Sequence, residues 1–220
     1  HEDFVVLKGI EYDTCDAGHI ICIMPEGVKM RLLELRGLPV SALIDFVHRH
    51  GGILGPAHPC GEKYLSFTNT KKFYKSPEII KRFDFIEAFN ACEPEESNRE
   101  AMKLTLKYKK PGIGGSDAHK LDCVSLAYTE LPERITCETE LISLIRRKVP
   151  IGVGGTIYGK TTKDKIGKVN KLLVYSFWFY NKGGELLKRH KRKVKGEIEN
   201  PVDPIDPIEI PYLKMQGKVL

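Results

Sequence analysis

Gly114-Gly115-Ser116-Asp117-Ala118-His119 follows an apolar turn, Lys110-Pro111-Gly112-Ile113, and reads as the end of a short buried strand. On an extended backbone, side chains two apart point the same way, so Asp117 and His119 are expected on one face. A carboxylate beside an imidazole suits a divalent cation. The glycines let the backbone turn tightly and leave room next to the pair. The same residues also fit a surface turn in which Asp117 caps the next helix. A motif this short decides nothing alone, so the partners must come from elsewhere in the chain.

Working outward, the segments on both sides alternate. Phe4–Leu7 reads as a buried strand closed by Gly9-Ile10-Glu11, and His19–Met24 as another after a polar loop at 13–18. Residues 40–50 form the best helix, with Val40, Leu43, Ile44 and Val47 as its apolar stripe and Ser41 as its cap. A strand at 53–57 runs straight into His58-Pro59, and a strand at 83–89 ends at Asn90. Residues 94–109 are a second helix, with Pro and Glu in the first turn and basic residues in the last. Beyond the opening motif come a strand at 124–129, a helix at 138–148 and a strand at 150–153. Strands alternating with helices predict a parallel α/β sheet or barrel with one core over residues 1–155.

From about residue 156 to 220 the character changes to a C-terminal appendage. It holds a helix expected at 163–180, a basic run, and an extended arm with four prolines at 200–211. The chain has 220 residues and a net charge of +6. Residues 181–196 carry seven basic side chains against Glu185, a local balance equal to that of the whole chain, so the body is not a basic nucleic-acid surface. The run itself is a candidate for an anionic partner such as RNA, or else a solvated helix face. No apolar stretch approaches the roughly 18 residues of a membrane span, so no membrane partner is expected. Six cysteines without a C-x-x-C pair read as free thiols in a reducing, cytoplasmic setting.

Four predicted strand ends carry Glu11, His58, Glu87 and the Asp117/His119 pair, and His19 opens a strand. In a parallel α/β barrel such ends meet at one mouth. His, Asp and Glu without thiolate spacing indicate Zn, Mn or Fe. Gly9-Ile10-Glu11, Gly18-His19-Ile20, Ala57-His58-Pro59 and Gly115-Ser116-Asp117-Ala118-His119, in this order, resemble the later motifs of the PHP (polymerase and histidinol phosphatase) family of metal-dependent phosphoesterases. The resemblance implies a distorted (β/α)7 barrel with up to three metal ions. It implies that Glu11 bridges two ions, that His19 and His58 complete one, that Asp117 ligates the other, and that His119 ligates a third. The family's opening H-x-H strand and later D-H pair are missing here. The chain therefore reads as a barrel without its first strands, either a fragment or a degenerate member. We expect the fragment, since the start at His1 is abrupt, with the missing ligands on an N-terminal segment or a second chain.

The expected activity is hydrolysis of a phosphate ester of a small metabolite, a nucleotide or a nucleic-acid end through metal-activated water, weak or absent in this form. The alternative is a non-catalytic interaction module with a vestigial metal site and the basic segment on an anionic partner. Lys120 and Arg99 are the candidate contacts to substrate phosphate, although solvated helix or loop charges also fit them. Glu87 is expected to support ligands through hydrogen bonds, Cys60 to be a small buried neighbour, and His48 and His50 to serve the end of their helix.

Overall fold

A computed structural model describes residues 4–29, 31–61 and 66–158. Each of its helices follows from a local pattern. In α1 (Val40–Arg49) the residues Val40, Leu43, Ile44 and Val47 are all buried, as their helical spacing requires. Its first N–H, on Val40, is taken by Asp16 Oδ1 at 2.8 Å, so the cap comes from a distant loop and not from Ser41. A short helix α2 (Lys71–Lys75) is capped by Thr70, and 3-10 turns flank it at Phe67–Asn69 and Pro77–Arg82. Helix α3 (Glu95–Tyr108) has acids in its first turn and ends on Lys109 in the left-handed region. Helix α4 (Glu138–Arg147) closes on Lys148 in the same way.

The strands are β1 (Ile10–Asp13), β2 (His19–Ile23), β3 (Ile53–Pro56), β4 (Ile86–Asn90), β5 (Gly112–Gly115), β6 (Ala127–Glu130) and β7 (Gly152–Gly155). They form three small sheets: β1-β2-β3 antiparallel, β4-β5 parallel, and β6-β7 antiparallel. The fold is thus mixed α/β. The expected parallel sheet is confined to one strand pair, and no closed barrel exists among the described residues. Seams join the sheets in sequence. The Asp84 N–H donates to Leu54 O and Asp84 Oδ2 accepts from the Leu54 N–H, both at 2.9 Å, tying β3 to the start of β4. The Gly114 N–H donates to Thr129 Oγ1 at 2.9 Å, tying β5 to β6.

The first strand is also displaced. It begins at Ile10, while Phe4 and Val6 are exposed, so Phe4–Leu7 is no buried strand and Glu11 lies inside β1 rather than past its end. The helix expected at 163–180, the basic run at 181–196 and the proline arm lie outside the described residues. The chain divides into units His1–Lys163 and Asp164–Leu220, and all described residues belong to the first. No helix among them is long and apolar enough to cross a membrane.

Two clusters sit on opposite faces of the first sheet. Tyr12, Ile20, Cys22 and Leu54 pack with α1 on one face. Ile21 and Ile23 pack with Ile53, Phe85 and the α4 residues Ile142 and Ile145 on the other. Strand alternation makes this division, and it decides where the polar residues go. Glu11 pairs with Ile21 and Asp13 with His19, and cross-strand partners share a face. Glu11, Asp13 and His19 therefore stand on the α4 face, beside an apolar floor.

Candidate metal centre

Glu11 on β1 and His19 on β2 are brought together by the hairpin, whose loop turns back at Gly18 with φ 72°. His58, immediately beyond β3, reaches in from the third strand. His19 Nδ1 lies 2.5 Å from Glu11 Oε1, and His58 Nε2 lies 3.4 Å from the same oxygen. The two imidazoles meet edge to face with centroids 5.3 Å apart. His58 is buried and Glu11 is about half exposed, so the group opens to solvent on the carboxylate side. His19 and then His58 hold the Glu11 carboxyl far below the usual carboxylate range. Burial pulls the His58 imidazole down, but hydrogen bonding to Glu11 and the charges of Glu87, Glu11 and Asp117 outweigh it, and the net direction is up.

The donor set fits a divalent cation. One donor atom from each of Glu11, His19 and His58 lies within 4.8 Å of the others, and among the described residues this is the group of three or more His, Cys, Asp or Glu that does so. Two donors on a tetrahedral ion stand roughly 3.3 Å apart, close to the 3.4 Å between Glu11 and His58, whereas the 2.5 Å between Glu11 and His19 would have to open to admit an ion. The decisive observation concerns His19. Its Nδ1 is buried and, although only 2.5 Å from Glu11, has no aligned hydrogen bond. Two donor atoms this close need either a shared proton or a cation between them, and a cation would satisfy both. One carboxylate and two imidazoles suit Zn, Mn or Fe alike.

Two further residues, which the sequence did not single out, touch the imidazoles from behind. Asp13 Oδ1 is 4.0 Å from His19 Nε2, and Ser66 Oγ is 3.4 Å from His58 Nδ1. A hydrogen bond on the outer nitrogen fixes the tautomer of a ligating histidine; Ser66 stands where it can do this for His58, while Asp13 is at ion-pair distance from His19 and too far for a hydrogen bond. Glu87, in contrast, was legible as a supporting residue: its Oε2 accepts from the His58 N–H at 2.5 Å and from Asn90 Nδ2 at 3.1 Å. Burial pushes the Glu87 carboxyl up to about 7. Cys60 is not among the converging donors, and burial pushes its thiol up to about 11.

The opening motif behaves differently from its extended reading. Asp117 has φ 45°, in the left-handed region, so Asp117 and His119 do not share the face of a strand. His119 is exposed and its Nδ1 pairs with the Asp117 carbonyl at 2.8 Å. The Tyr158 hydroxyl donates to the carbonyls of Ser116 and Asp117, at 3.0 and 2.7 Å, and holds this bend. Neither Asp117 nor His119 joins the Glu11 group, although the Asp117 charge acts on both His58 and Glu87. Lys120 is exposed. Arg99 is paired on the α3 surface with Glu95 at 3.2 Å and Glu96 at 2.6 Å. His48 bonds Asp84 at 2.9 Å and His50 the Phe46 carbonyl at 2.8 Å, both at the end of α1.

A family model described as PHP-associated, PHP_C, matches residues 95–150. The chain carries a PHP-associated segment. That segment runs from α3 through β5 and β6 to α4, and it contains Arg99, Asp117, His119 and Lys120. The converging group of Glu11, His19 and His58 lies before it, on the first sheet. No curated protein matches the chain.

Proposed function

We propose that this chain holds the ion of a PHP-type, metal-dependent phosphoesterase that hydrolyses a phosphate ester of a small metabolite, a nucleotide or a nucleic-acid end. The observation that carries the reading is the convergence of one donor atom from each of Glu11, His19 and His58, with the buried His19 Nδ1 turned onto the Glu11 carboxylate at 2.5 Å. The PHP-associated segment at 95–150 supports the same family. Zn, Mn or Fe bound there would act as a Lewis acid and lower the pKa of its water. The chain's own part is to supply one negative charge from Glu11 and two oriented imidazoles, the rings backed by Asp13 and Ser66. Lys120 is proposed to meet the substrate phosphate from the exposed strand end. Arg99 would have to leave Glu95 and Glu96 to do the same. Asp117 and His119 are proposed ligands for further ions, up to three in all, once ligands from an N-terminal segment or a second chain complete them. Turnover by these 220 residues alone is expected to be weak.

The test is metal content after loading with Zn or Mn and removal of excess. We expect about one ion per chain, lost in His58→Ala and kept in Asp117→Ala. A wild type without any ion would overturn the reading. Hydrolysis of p-nitrophenyl phosphate by the loaded chain should be slow. Fast turnover would show that the site is already complete.

A further inference from the structure

His58 has φ 30°, a value uncommon for any residue with a side chain. It also precedes Pro59, whose ring disfavours compact conformations in its neighbour and pushes it toward extended ones. The chain is therefore held at this point against its local preference, and strained residues persist only where their surroundings over-determine them. The restraint is visible. The His58 N–H is bound by Glu87 Oε2 at 2.5 Å, in the buried layer behind the imidazole. Glu87 is itself fixed by Asn90 Nδ2 at 3.1 Å. Asn90 is tied in turn to α3, its N–H donating to Asn98 Oδ1 at 2.8 Å and its carbonyl accepting from Asn98 Nδ2 at 3.0 Å. The carboxylate has room because Gly115, on β5, has no side chain: a Cβ there would stand 2.1 Å from Glu87 Oε1. Gly115 is not in the left-handed region, so its requirement is for space alone.

We propose that Glu87 is a positioning residue for ion capture. Seated in the gap over Gly115, it holds the strained His58 backbone so that Nε2 faces Glu11. The glycine at 115 is thereby explained by a residue on another strand, and the PHP-associated segment gains a task at a site whose ligands lie outside it. The inference rests on the metal reading above and adds a dependence on Glu87 and Gly115, neither of which is a ligand.

The test uses the full chain with Co2+, whose visible absorption reports the ligand set, and the His58 amide proton of the metal-free protein, which reports the clamp. Wild type should show that amide at low field. Glu87→Gln keeps an acceptor oxygen and should keep both the amide position and the wild-type affinity. Glu87→Ala and Gly115→Ala should each weaken Co2+ binding by about ten- to a hundredfold, with the fold intact by circular dichroism. The double variant should be no weaker than Glu87→Ala, because the glycine acts only through the carboxylate. Wild-type affinity in Glu87→Ala, or losses that multiply in the double variant, would overturn the proposal. A wild type with the low-field amide but no Co2+ uptake would overturn the metal reading itself, and the positioning role with it.

Discussion

Glu87 is an acid buried at 4% exposure between a histidine amide and an asparagine, and its proton is held more tightly in the fold than in the unfolded chain. With the carboxyl raised from 4.5 to about 7, the sign is fixed. Its contribution to stability is full below pH 4.5 and is lost as pH rises through 7. Against Glu87→Gln, the metal-free wild type should lose up to about 3 kcal/mol between pH 5 and 8, measured by urea unfolding at both values. An unchanged difference would mean that Glu87 does not titrate in that window. At this scale the sequence was informative about Glu11, His19 and His58 as donors but not about how they meet: Glu11 lies inside β1 and reaches His19 across a hairpin, not at a ring of strand ends. It was silent on Asp13 and Ser66. Asp13 reads as part of a polar loop, and only the hairpin register sets it opposite His19. It gave Asp117 and His119 an extended backbone, since no local signal marks Asp117 as the one residue of its motif to turn left-handed, yet the carboxylate and the imidazole still stand 3.5 Å apart.

Strand β3 shows how elements were read well in position and poorly in direction. Its four residues are all buried, a pattern usual in parallel sheets, yet it pairs antiparallel to β2. For β1 and β2 the direction was legible: only residues 14–18 separate them, too few for the crossover that parallel strands need. For β6 and β7 it was not, because a helix lies between two strands that nevertheless run antiparallel. The seam between β3 and β4 is closed by a glycine. A Cβ on Gly55 would stand 2.4 Å from the Phe85 carbonyl and 2.5 Å from its ring. Backbone cannot move aside as a side-chain tip can, so Gly55→Ala should cost about 1–3 kcal/mol in chemical denaturation. A neutral effect would show that the seam yields.

For the whole molecule, the three converging side chains come from β1, β2 and the end of β3, so an ion would fasten the first sheet across all its strands. Free Zn at 100 times its Kd should raise unfolding stability by about 2.7 kcal/mol, with no rise in His58→Ala. Helix α4 makes a second long-range connection. Glu138 Oε1 accepts from the Lys8 N–H at 2.6 Å, Thr139 Oγ1 from the Glu26 N–H at 3.1 Å, and Arg146 donates to the carbonyls of Gly51 and Gly52 at 3.0 and 3.1 Å. Strand β5 has its parallel partner in β4, which lies ahead of residue 95. A piece excised at 95–158 would leave those carbonyls, amides and the partner strand behind, and it should show no cooperative thermal transition. The segment that matches the PHP-associated family model is then expected not to behave as a portable module. Any graft of it into another protein would have to bring a substitute for the first half of the fold.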